Sequence, residues 1–235
     1  MSANYTWGHT FDNLSSTFSE LANNFNLGLL DPFNPKLDYG SADFDIRHRM
    51  VISAIWEVPF AKNTTGIVNR VANGWTIAPI ITVRSGNPFT MWDCGLAFFE
   101  VCQRMNVTGA PARSAERGAP TGQPGEFEHI DFSSVIAPTF ANPITGNGEF
   151  GPFPSNMVPR NFFRSPGAWT VDLGIYKTTK ITERWSIQLR GELFNMFNHA
   201  NDVVVGGDAD VSSFSTSKVK PDGRRNVQFT LKLIF

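Results

Sequence analysis

The sequence predicts an all-β fold: an antiparallel meander of about six long strands, forming a partial segment of a transmembrane β-barrel. Three observations predict it. Apolar and polar residues alternate at period two in six stretches, as half-exposed strands require. The connections between these stretches alternate between short and long, as in barrels with tight turns on one side and long loops on the other. Aromatic side chains recur near the ends of the stretches, where rings with one wet edge favour the boundary between lipid and water.

Composition agrees with this class. Charged residues make up 17% of the 235, below the ~25% of soluble domains. The 20 Gly and 15 Pro suit many turns. No apolar run approaches the ~18 residues of a spanning helix, which excludes a helical membrane protein. A net charge of -1 excludes a nucleic-acid partner, since phosphate binding needs a basic surplus.

The first strand carries Ala3, Tyr5, Trp7 and Phe11 against Asn4, Thr6, Thr10 and Asp12. The second sets Ile46, Met50, Ile52, Ala54 and Trp56 against Arg47, Arg49, Ser53 and Glu57. In the third, Trp75, Ile77, Ile81 and Val83 oppose Thr76, Thr82 and Arg84; Pro79 interrupts it and removes a ladder donor. The fourth alternates Trp169, Val171, Leu173 and Ile175 with Thr170, Asp172, Gly174 and Tyr176. The fifth alternates Trp185, Ile187, Leu189 and Leu193 with Ser186, Gln188, Arg190 and Glu192. The last places Val227, Phe229, Leu231, Leu233 and Phe235 on one face. Asn226, Gln228, Thr230 and Lys232 lie on the other, joined by Ile234.

Residues 58–73 and 178–183 are the short links. Residues 13–43, 87–168 and 198–222 are the long, extracellular loops. Trp7, Trp56, Trp75, Trp169, Trp185 and Phe235 read as interfacial girdles or as ordinary aromatics of a β core. The polar faces suit a wet lumen or the outer face of a soluble sheet.

Catalytic motifs do not emerge, and the chain reads as no enzyme. His9, His48, His129 and His199 are dispersed and form no metal-ligand spacing. Asp43 and Asp45 at a strand start read as a solvated strand mouth rather than an acid–base pair. Asp208 and Asp210 lack the twelve-residue pattern of a calcium loop. No metal and no cofactor is expected. Arg47 and Arg49 share a face, lining a lumen or pairing with neighbouring acids. Cys94 and Cys102, the only cysteines, either close a small external loop as a disulfide or stay as two thiols.

Six segments in order resemble one known family. They are NYTWGHTFDN, DFDIRHRMVISAIWEVPF, GWTIAPIITVRSGNPFT, RNFFRSPGAWTVDLGIYK, RGELFNMFNHAN and RRNVQFTLKLIF. Together they resemble the C-terminal barrel region of Oar-like TonB-dependent receptors, nearly end to end. Ser165 replaces a usual Gly, and residues 94–150 are a long insertion. The resemblance implies an outer-membrane transporter or receptor: a barrel of about 22 strands, an N-terminal plug and a TonB box.

Residues 1–235 would then be a C-terminal fragment of such a barrel. MSANYTWGHTFDN is not a signal peptide, and the smallest barrels have about eight strands. The implied partners are outer-membrane lipid, the rest of the barrel and plug, the barrel assembly machinery, and TonB through the N-terminal part. Gln228, Phe229, Leu231, Leu233 and Phe235 would form the C-terminal assembly signal. The alternative is a small surface adhesin or ligand-binding β module. The last strand is expected to be an edge, paired only with residues 184–197.

Overall fold

The computed structural model describes residues 1–15, 29–60, 65–93, 103–107, 127–128, 135–136, 153, 155–204 and 218–235. The main sheet uses β1 (Ser2–Trp7), β2 (His48–Ser53), β3 (Trp56–Val58), β4 (Trp75–Arg84), β5 (Ala168–Lys180), β6 (Ser186–Phe194) and β7 (Asn226–Ile234). Neighbours in the sheet follow chain order, β1-β2-β4-β5-β6-β7, with β3 also on β4. Every pairing is antiparallel.

β2 and β3 are one lane. Ser53 faces Ile80 and Trp56 faces Ile77, so the register does not slip between them. The break falls opposite Pro79. The Ala54 N–H donates to the Pro79 carbonyl at 3.1 Å, but Pro79 has no N–H to return. The proline therefore costs one ladder bond without ending β4, which runs through it for 10 residues. The expected third strand is intact.

Opposed residues in an antiparallel sheet share a face, so the registers decide where each stripe goes. Phe229 meets Gly191, Leu231 meets Leu189 and Leu233 meets Ile187. Leu173 meets Leu193 and Pro79, while Val171 meets Ile81. Ile81 meets Ile52, which meets Ala3. All six apolar stripes thus merge into one face. The other face carries Asn4, Arg49, Thr82, Asp172, Glu192, Arg190, Gln188, Gln228 and Lys232 by the same pairings.

The apolar face is uncovered. Trp7 is 70% exposed, Trp56 56%, Leu189 49% and Leu231 71%. Apart from Val58 and Ala168 at strand ends, the buried apolar side chains lie elsewhere among the described residues: Leu30, Ala42, Phe89, Met91, Met105, Val158 and Phe163 all come from the loops. A soluble sheet would bury the first set. A contiguous apolar surface this large marks contact with another apolar medium.

The girdle reading follows from the same registers. Trp7 and Trp169 lie toward the loop end of the apolar face, level with His48 and Val83. Trp56 and Trp75 lie toward the short-link end, level with Ile77 and Lys177. The Trp185 and Phe235 rings meet there at 5.4 Å. From Trp169 to Lys177 the strand rises about 26 Å at ~3.3 Å per residue, or ~20 Å along the normal at the ~40° tilt of a barrel strand, which covers most of the ~25 Å apolar band of an outer-membrane barrel.

Three differences from the expected elements have physical causes. The first strand ends at Trp7; Phe11–Asp12 instead pairs with Gly40–Ser41 within the loops. β5 continues to Lys180, leaving a tighter turn in which Ile181 and Thr182 donate to the Trp185 carbonyl. The link expected at 58–73 contains a helix, α1 (Gly66–Ala72). Seven residues are too few for periodicity to declare a helix.

Edge placement of the last strand is as expected. β7 pairs with β6 from Ser186↔Ile234 to Phe194↔Asn226, and among the described residues it has no second neighbour. β1 is the other edge.

Candidate functional site: the locked rim beneath the long loops

Where β1, β2, β4 and β5 reach their loop-side ends, four segments of the chain meet in a buried polar cluster. Its centre is Arg160. The guanidinium donates to Asp12 Oδ1 at 2.5 Å, Ser15 Oγ at 2.6 Å and Asp43 Oδ1 at 3.1 Å. The side chain is only 5% exposed. Two carboxylates answer one buried cation, so the charge is offset where water cannot screen it.

Arg164, four residues later, donates to Asp45 Oδ2 at 2.5 Å and to the Asp45 carbonyl at 2.6 Å. Asp45 also accepts the Thr10 N–H at 2.9 Å and lies 3.1 Å from His9 Nδ1. Burial pushes the Asp45 carboxyl up, but these hydrogen bonds and the Arg164 and His9 charges outweigh it. Its pKa is therefore held below the usual carboxylate value. Asp43 and Asp45 are not a solvated strand mouth. Asp45 is 2% exposed, because Arg160 and Arg164 descend onto them from the far loop.

Arg47 lies 3.9 Å from Asp45 Oδ2. Its acidic partner stands two residues upstream, not on a neighbouring strand.

Backbone geometry holds the cluster. Asn161 takes a left-handed conformation, φ 54, which Asn tolerates better than most side chains. Its amide donates to the Ser41 carbonyl at 2.7 Å and to Asp43 Oδ1 at 2.6 Å, while its N–H donates to Thr90 Oγ1 at 2.8 Å. A Cβ on Gly86 would lie 1.6 Å from the Ser165 carbonyl oxygen, so only glycine lets the two loop arms close. Phe89 and Phe163, register partners, stack at 5.6 Å in the fully buried floor of the loops.

A second ion pair ties the outer loops to this floor. Arg104 donates to Asp38 Oδ1 and to the Leu37 carbonyl, the latter at 2.8 Å. Burial pushes the Arg104 pKa down to about 10, so it keeps its charge at neutral pH. Burial likewise pushes the Asp38 carboxyl up against the pull of Arg104.

The β6–β7 corner is stitched differently. Asn195 and Asn198 have φ 51 and φ 52. Asn195 donates to the His199 and Gly223 carbonyls at 2.8 and 2.9 Å, and its N–H reaches Asp172 Oδ1 at 2.8 Å. Asn201 exchanges a pair of hydrogen bonds with the Trp169 backbone, and His199 stacks on the Trp169 ring at 4.1 Å.

The six family-like segments thus converge. Asp12, Asp43 and Asp45, Gly86, Arg160 with Arg164, Asn195 with Asn201, and Arg225 each come from a different one of them. The Arg225 N–H donates to Asn198 Oδ1 at 3.0 Å. The sequence alone does not show that these residues gather into two clusters, one around Arg160 and Arg164 and one around Asn195. Their signal was opposite charges in segments that pattern alone could not pair. Chemically the rim is a clamp, since each of its carboxylates is engaged by an arginine.

The C-terminal residues lie apart from the rim, running along the edge strand to the opposite end. Gln228 faces Glu192 on the polar side. Phe229 covers Gly191 on the apolar side, its ring 3.4 Å from where a Cβ would stand. Phe235, 88% exposed, closes against Trp185. Cys94, Cys102, His129, Asp208 and Asp210 lie outside the described residues. Among the described residues, no cluster of His, Cys, Asp and Glu is arranged to hold a metal.

Comparison with known proteins agrees with this geometry. Residues 1–228 match the family model described as an outer membrane beta barrel domain. No curated protein and no solved structure matches the chain. The fold is that of part of an outer-membrane barrel wall, and the chain belongs to the outer membrane beta barrel domain family.

Proposed function

We propose that this chain is the C-terminal wall of an Oar-like TonB-dependent receptor that takes up a substrate across the bacterial outer membrane. The observation that carries the reading is a sheet paired in chain order, apolar on one face and polar on the other, with both edges open. Open edges in lipid leave backbone groups unsatisfied, so further strands must complete the wall. The order of the six motifs favours a receptor of this kind as the source of those strands.

In this reading the chain supplies closing strands and three loops; the Arg160 and Arg164 clamps hold the bases of the first two, and Asn195 and Asn201 hold the base of the third. The energised step belongs to a plug and its TonB contact. In this reading the chain acts as a barrel wall rather than as an enzyme. Gln228, Phe229, Leu231, Leu233 and Phe235 serve as the strand that the barrel assembly machinery reads. A soluble adhesin is disfavoured by Trp7, Trp56 and Leu231, which would be left in water.

The test is the reading frame upstream of the codon for Met1 in the native transcript. Continuation into further period-two strands, a plug and a TonB box is expected. An in-frame stop followed by a start at Met1 would overturn the receptor reading.

A further inference from the structure

We infer that α1 is a lipid-contacting foot, seated in the inner leaflet of the outer membrane at the short-link end of the wall. Its amphipathicity runs opposite to that of a soluble helix. Ile67, Val68 and Val71 lie within one arc at 100° per residue, and they are 80%, 61% and 62% exposed. Asn69, on the other side, is half-buried against the protein. A helix that turns its aliphatic arc outward and an amide inward has apolar surroundings outside.

The anchoring shows which side of the wall those surroundings occupy. Trp75 and Lys177 are register partners on the apolar face of the sheet. The Trp75 indole N–H donates to the Val71 carbonyl at 3.0 Å. The Lys177 ammonium donates to the Arg70 carbonyl at 2.8 Å and also to the Asn73 carbonyl. Both residues donate to carbonyls at the C-terminal end and C-cap of α1. The helix C-terminus is therefore held from the lipid-facing side, and the ammonium lies 5.7 Å from the Trp75 ring centroid. This also accounts for a lysine on an otherwise apolar stripe.

Gly74 sets the exit. It has φ 79, and a Cβ there would lie 2.3 Å from the Thr178 carbonyl oxygen. The chain passes from helix to wall with no spacer that could swing α1 away. The aliphatic arc is thus continuous with the girdle at Trp75. An interfacial helix typically sinks about 5–10 Å into the headgroup region, and the inner leaflet is the layer at the short-turn end of such barrels.

The inference rests on the membrane-wall reading, and the experiment separates the two. Single spin labels are placed at Ile67→Cys, Val71→Cys, Asn69→Cys and Leu189→Cys. The full-length protein carries Cys94→Ser and Cys102→Ser and is studied in phospholipid bilayers. Ile67 and Val71 are exposed, so the labels leave packing intact. Labels at 67, 71 and 189 should relax faster with oxygen than with a water-soluble nickel chelate, and the label at 69 should not. Labels at 67 and 71 that favour nickel, or are shielded from both, overturn the lipid foot while 189 still favours oxygen. A label at 189 that favours nickel overturns the wall itself.

Discussion

Arg164 donates to Asp45 at 2.5 Å, joining residues 119 positions apart. With Arg160 on Asp12 and Asp43, this clamp fixes the loop arm before β5 to the loop arm before β2. The rim consists of contacts between loops that leave the sheet at different strands. The described arms of the first two long loops are thereby joined above the wall.

The clamp should respond to acid with a definite sign. The folded pKa of Asp45 lies below its unfolded value. Its stabilisation is therefore complete above about pH 4, the ordinary carboxylate pKa. It is lost as pH falls through the folded value. Thermal stability in detergent should hold from neutral pH to about 5 and decline below about 4. Asp45→Asn should weaken the fold by about 3 kcal/mol at neutral pH, the low end for a broken buried pair, and flatten the acid decline. A melting midpoint that stays unchanged as the pH falls below about 4 would contradict it.

Arg160 is the costliest rim residue to lose. Arg160→Ala leaves Asp12 and Asp43 facing each other with no cation between them, at a cost of about 3–5 kcal/mol. The sheet does not depend on these contacts. Limited trypsin digestion should therefore cut the loops much faster in the variant while the strands stay protected. Equal loop protection in both proteins would contradict the clamp.

Pro79 gives the opposite expectation. Its ring nitrogen faces Ala54, whose carbonyl receives no ladder bond from it. Pro79→Val restores the donor on an apolar stripe that already contains Ile77 and Ile81. Stability should rise by about 1 kcal/mol, the net value of one hydrogen bond, as read from the melting midpoint.

Cys94 and Cys102 are expected to form a disulfide. The described ladder pairs Trp92 with Arg104 and Asp93 with Gln103, so the two arms that lead to the cysteines run side by side. The Met105 N–H donates to Met91 at 3.2 Å, which makes 91 and 105 a hydrogen-bonded pair. Non-reducing mass spectrometry of tryptic peptides from outer membranes should find the two cysteines linked. Two alkylatable thiols would contradict it.

Much of the wall was legible in the sequence because each strand announces itself locally. Trp169 to Ile175 and Val227 to Leu233 alternate without error, and the loop lengths set the hairpin order. Register between strands was not legible, yet it is what merges Ile52, Ile81, Val171 and Leu189 into one face. The rim was hidden for a similar reason. Asp45 beside Asp43 looks like two solvated acids until Arg164 and Arg160 arrive from more than a hundred residues away. α1 escaped notice because its aliphatic arc is three residues in a seven-residue helix.

The central claim is that β1 and β7 are two open edges of a larger wall. Disulfide crosslinking in native outer membranes tests it most directly, with Cys94 and Cys102 replaced by Ser. Cysteines at Arg190 and Thr230, which face each other across β6 and β7, should crosslink within the chain. Cysteines at Ser2, Asn4 or Thr6 of β1 combined with Thr230 should not. An intramolecular crosslink between any of those β1 positions and Thr230 would show the sheet closing on itself and contradict the account.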